Sequence, residues 1–226
     1  VLCFETSSGK ILSVEGSYES FNEPKEDIST EITLLTGIEN KMVDGKFIDW
    51  NEVDALFQGV DIIIAHNASF DRAFIDRFSS NSPSKIWACS INDIDWLKRG
   101  FTSSKQELLC YWHGFYFDAH RAMNDVDALI HLLTFETGLE RPLLELIKNS
   151  NKSEYVIFAE HFKYDPFKKD ILKGNKYRWN PNDKIWFKKV NLDELEHEKD
   201  WLTATIYDQV FKGRVEEIIP NNKYKL

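Results

Sequence analysis

The 226-residue chain, with 42% hydrophobic and 14% aromatic residues, is long enough to bury one large core and a second, smaller one. A net charge of −9 excludes a protein that grips duplex nucleic acid through bulk positive charge. Cys3, Cys89 and Cys110 show no C-x-x-C spacing, so neither a disulfide framework nor a zinc cluster is expected, and a reducing, cytoplasmic location is. No run approaches the roughly 18 apolar residues of a membrane span, so no membrane partner is expected.

The charge is uneven. Residues 1–150 hold 13 Lys and Arg against 24 Asp and Glu, and the remainder holds 15 against 13. The shift predicts two domains, 1–150 and 151–226. Val1 stands where a methionine would begin a chain, in mid-strand pattern, which predicts a start inside a longer protein.

In chain order, "VLCFETSSGKILSVEGSYESF" alternates around Ser7-Ser8-Gly9 and predicts a β-hairpin. "STEITLLTGI" has an N-cap-like start and a stop at Gly37, and "DWNEVDALFQ" repeats its apolar residues at helical spacing. "VDIIIAHN" is a short apolar run, read as a strand buried on both faces. A helix over "SFDRAFIDRF" then places Asp71 in its first turn. "KIWACSIND" predicts a strand, and "SKQELLCYWHGF" and "NDVDALIHLLTFE" predict helices. This alternation is that of an α/β domain. From residue 151 onward, "SEYVIFAEHF", "DPFKKDILK", "KYRWN", "KIWFKKV", "LDELEHEKDWLTATIYDQVF" and "GRVEEIIP" predict β-α-β-β-α-β, a small α+β domain.

Two stretches, "AHNASFD" and "HRAMNDVDAL", each place an aspartate at the start of a helix, where the helix dipole favours a carboxylate. Singly, Asp71 and Asp125 read equally well as helix-start carboxylates and His120 as a loop histidine. Together they form N-x-x-F-D followed by H-x-x-x-x-D, and in that combination the chain resembles the DEDDh 3′–5′ exonucleases, the class of proofreading subunits, ribonuclease T and oligoribonuclease. "LLTGIENKMVDG", "WACSI" and "LLCYWHGF" also resemble the family in their order, and the resemblance covers roughly residues 1–147.

The resemblance implies a ribonuclease H-like mixed sheet with flanking helices. It implies hydrolysis of single-stranded DNA or RNA from 3′ ends with two Mg²⁺ or Mn²⁺ ions, a chemistry that suits hard oxygen ligands. Asp71 and Asp125 would be metal ligands and His120 the general base, since an imidazole near pKa 6.5 can accept a proton at neutral pH. Asn67 and Phe70 would contact the nucleotide. The family also carries D-x-E on a central first strand. Here "FET" sits only about thirty residues before Thr36, so Glu5 is read as a hairpin residue, with that first strand and its two ligands absent and this chain alone inactive. A catalytically degenerate exonuclease fold serving as a nucleic-acid-binding or partner-docking module is the alternative. In the C-terminal domain, "KYRWNPNDKIWFKK" interleaves cations with aromatics, which nominates Arg178, Trp179 and Lys188 as accessory nucleic-acid contacts, although a hairpin with aromatics inward as core and lysines on the wet face is the stronger reading of the pattern.

Overall fold

The computed structural model describes residues 1–118, 121–136, 140–207 and 209–225. The chain divides into two compact units, one formed by residues 1–150 with the chain end from Tyr224, the other by Asn151–Lys223. No helix of the described residues is long and apolar enough to cross a membrane.

The first unit opens with a hairpin, β1 (Leu2–Phe4) and β2 (Ile11–Val14), antiparallel in the register Leu2 to Val14. Its pairing ends at Val14, so the alternation continuing to Phe21 in the sequence is not strand. Helix α1 (Thr30–Thr36) has the expected ends: Ser29 accepts from the Ile32 amide, and Gly37 closes the helix at φ 68, a left-handed conformation that glycine adopts without a Cβ penalty. A short turn, α2 (Asn40–Val43), and α3 (Trp50–Gln58) follow, the latter capped by Asp49, whose side chain accepts from the Asn51 and Glu52 amides.

Strand β3 (Ile62–Ala65) leads into α4 (Ala68–Ile75) and pairs in parallel with β4 (Ile86–Cys89). Helices α5 (Gln106–Trp112), α6 (Ala122–Thr134) and α7 (Pro142–Ser150) complete the unit. On one face of the β3–β4 pair, Ile62, Ile64 and Ala88 join a core made by Leu109, Leu132, Leu143 and Leu146. On the other, Ile63, Ala65, Trp87 and Cys89 pack with Ala68 and Tyr224. Both faces of β3 are therefore covered, as its apolar run requires, yet each of its residues is only half-buried, while Trp87, Ala88 and Cys89 of β4 are fully buried. Among the described residues β3 pairs only with β4, and β1 only with β2, although Phe4 of β1 packs on the same core as Ile62 and Ile64.

The second unit runs β5 (Glu154–Ala159), α8 (Pro166–Gly174), β6 (Arg178–Asn180), β7 (Ile185–Val190), α9 (Leu192–Thr205) and β8 (Arg214–Ile218), the element order read from the sequence. The four strands form one antiparallel sheet ordered β6-β7-β5-β8. Ile157, Ala159, Trp186, Val190 and Val215 point to the same side and pack against Leu172 of α8 and Leu202 of α9. Both helices thus cover one face of the sheet, the face carried by alternate residues of each strand.

Candidate active site

The β3–α4 junction is fixed from both sides. Asn67 caps α4 in the left-handed conformation, φ 71, which asparagine tolerates better than most residues. Its own side chain makes no capping bond. The Ala68 amide donates to Cys89 Sγ at 3.4 Å, and Ser90 N donates to Ala65 O at 3.0 Å. One turn in, Arg72 is fully buried; its Nε meets Asp76 at 3.1 Å and its guanidinium lies 5.8 Å from the Trp87 ring centroid. With Arg72 anchoring the inward side of α4, the neighbouring Asp71 turns to a cleft of about 610 Å³.

Ile64, His66, Asp71, Lys105, Gln106 and Asp125 are among the residues lining that cleft. Asp125 arrives from the first turn of α6, on the same side of the helix as Ala128, Leu129, Leu132 and Leu133, which are buried in the turns that follow; Leu129 lines the cleft with it. Gln106, at the start of α5, donates through Nε2 to the Asp125 carbonyl at 2.6 Å and so ties the two helix starts together. Two aspartates far apart in sequence thus open onto one space beside β3.

The electrostatics differ around the cleft. Burial raises the Asp71 carboxyl above the usual carboxylate range, because removing water disfavours the charged form. Burial lowers His66, which is held by a 2.7 Å hydrogen bond between Nδ1 and Ser90 Oγ and is therefore neutral at pH 7. A half-buried carboxyl with no hydrogen-bonded cation among the described residues is a group that a divalent ion would stabilise as the anion, and two carboxylates supply the hard oxygens that Mg²⁺ or Mn²⁺ takes. Among the described residues no three His, Cys, Asp or Glu side chains converge as a metal site.

A family model described as Exonuclease matches residues 3–133 of the chain. The chain belongs to the exonuclease family. That match agrees with the DEDDh-type resemblance of the two aspartate motifs, and it ties the cleft to a nuclease unit whose substrate class is nucleic acid. No curated protein and no solved structure matches the chain significantly.

Of the residues nominated from sequence in this exonuclease unit, Asp71 and Asp125 line the cleft. Phe70, adjacent to Asp71, is 75% exposed, and Asn67 is exposed at the helix start. His120 lies outside the described residues. Glu5 sits in the hairpin turn, its amide bonded to Lys10 O and its carboxylate to Ser8, as a hairpin residue should. His66, Lys105 and Gln106 were not nominated; His66 had a signal, standing immediately before Asn67 at the end of the strand. In the second unit, Arg178 is exposed on β6, whereas Trp179 pairs across to Trp186 on the helix-covered side. Lys188 is bound to the buried Glu198 at 2.6 Å.

Proposed function

We propose that the first unit removes nucleotides one at a time from the 3′ end of single-stranded DNA or RNA, on a ribonuclease H-like scaffold and with two divalent cations. The observation that carries this reading is that Asp71 and Asp125 line one cleft at the end of β3, in a chain of the exonuclease family. Bound there, the cations would orient the scissile phosphate and offset its negative charge.

The chain's own residues would divide the remaining work. Asp71 and Asp125 would hold the cations through carboxylate oxygens, and the burial that disfavours a lone Asp71 anion would be offset by the bound charge. His120 would accept a proton from the attacking water. Phe70 presents an exposed ring one residue from Asp71, suited to stacking on the terminal base.

The further acidic ligands would come from a strand added beside β3. Ile63, Ile64 and Ala65, which alternate between the faces of the strand, all line the cleft, so the cleft runs along an edge of β3 that carries no strand among the described residues. Two carboxylates without those ligands would leave the hydrolytic site incomplete.

A single-stranded oligonucleotide labelled at its 5′ end, incubated with the full-length natural protein and Mg²⁺ or Mn²⁺, should give a ladder of products shortened from the 3′ end. His120→Ala should lower turnover by about 10² to 10⁴, the usual worth of a general base, with end binding retained. Shortening from the 5′ end would overturn the polarity. No metal-dependent hydrolysis would leave the degenerate, binding-only reading in its place.

A further inference from the structure

The sheet of the second unit has a face that neither of its helices covers. In register, Arg178 of β6 stands opposite Phe187 of β7, Phe187 opposite Phe158 of β5, and Phe158 opposite Arg214 of β8. These four residues make one row across all four strands. They alternate with the residues that pack on α8 and α9, so they lie on the face turned away from those helices, where Val156 is buried further along β5. The rings of Phe158 and Phe187 are 6.5 Å apart and half-buried, while both arginines are exposed.

The two ends of the row differ. Arg214 lies 3.9 Å over the Phe158 ring and is engaged by Glu160 and Glu216, so that end is internally neutralised. At the other end Arg178 makes no ion pair among the described residues, nor do Lys176, just before β6, and Lys184, in the β6–β7 turn. The face therefore presents a ring, Phe187, beside the exposed Arg178, followed by a second ring already capped by a guanidinium, while Lys176 and Lys184 are exposed just before β6 and in the β6–β7 turn.

We infer that the Phe187–Arg178 part of this sheet face is a binding site for single-stranded nucleic acid, with an unpaired base stacked on Phe187 and backbone phosphates on Arg178, Lys176 and Lys184. Four-stranded sheets with aromatics on the two central strands bind unpaired bases in this way, and β7 and β5 are the central strands here. Aromatic rings accept any base, and cations alongside hold the backbone without reading sequence. A duplex keeps its bases stacked internally and offers Phe187 nothing. The choice of nucleic acid over another polyanion rests on the nuclease reading of the first unit; the contact surface differs from that suggested by the cation-aromatic pattern, since Trp179 and Lys188 face the helices.

The test is fluorescence anisotropy of the full chain with a labelled oligothymidylate or oligouridylate of about 15 nucleotides, a length that spans a site of this size. EDTA is present throughout, so that binding is read apart from cleavage. Phe187→Ala should weaken binding by about 10- to 100-fold, the usual loss on removing a base-stacking ring, and Phe187→Tyr should restore it. Arg178→Glu, at an exposed position that folding does not need, should weaken binding and lower the slope of log affinity against log salt by about 1 or more. In the full-length natural protein, metal-dependent hydrolysis of a dinucleotide by Arg178→Glu should match that of the unsubstituted protein; if neither hydrolyses it, the nuclease reading fails while the binding result stands. Unchanged binding in Arg178→Glu and Phe187→Ala, or a duplex bound as tightly as the single strand, would overturn the inference.

Discussion

Among the described residues, the four strands of the second unit find neighbours in one continuous antiparallel sheet, whereas those of the first pair two by two, β1 with β2 and β3 with β4. The consequence shows in burial: Ile157 at the centre of the second unit is fully buried, while Ile62, Ile63 and Ile64, an equally apolar run, stay half-exposed along a cleft. A complete sheet converts alternating apolar residues into core. An open strand edge converts the same residues into the wall of a space, and in this chain Asp71 and Asp125 also line that space.

The contrast can be sharpened from the side of the complete unit. The half-buried Lys188 pairs with the buried Glu198, with Asn175 Nδ2 donating to the second Glu198 oxygen at 2.7 Å. Removing one partner leaves the other charge buried and unpaired, so Lys188→Met should lower the stability of the second unit by about 3 to 5 kcal/mol, read as a shift in denaturant midpoint. A loss under about 1 kcal/mol would mean that water reaches Glu198.

On the first unit's side, Leu146 of α7 is fully buried in the core that also takes Phe4, Ile62 and Ile64. Leu146→Ala should destabilise that unit by about 2 to 5 kcal/mol, transfer and cavity contributions together. A value below the low end would indicate that the neighbourhood of the open strand edge relaxes to fill the cavity.

The smallest effect concerns pH. Hydrogen bonds from Ser79 and Ser80 hold the Asp54 carboxyl down at about 2 and close the turn after α4. A folded value below the unfolded one, about 3.9, means that its contribution is full above pH 4 and is lost as pH falls toward 2. In an acid titration followed by unfolding midpoint, the parent chain should lose stability over that window relative to Asp54→Asn. Parallel curves would show that the turn does not depend on the ionised carboxylate.

The second unit was legible because each segment shows one clear period and the turn residues fall between them. In the first, the caps of α1 and the helix starts bearing Asp71 and Asp125 were also legible, since Ser29, Gly37 and the aspartates act locally. Helix α7 was not anticipated: its nine residues, Pro142–Ser150, carry a short apolar spacing whose meaning depends on the distant core that Leu143 and Leu146 enter. The side taken by Lys188 was equally hidden, because lysine stands at both parities of "FKK" and only the partner Glu198, on another element, decides which one turns inward. The cleft depends on which strand edges are left open, a property of the assembled sheet.

The central claim is that Asp71 and Asp125 act as one site, and a double-mutant cycle tests it most directly. In the full-length natural protein, Asp71→Asn and Asp125→Asn should each lower metal-dependent 3′-end hydrolysis by at least about 10², the scale expected for losing several kcal/mol of charge stabilisation. If the two share the cations, the double variant should be scarcely worse than the weaker single one, because groups acting as a unit are strongly non-additive. Losses that multiply, as for independent positions, would contradict the shared site.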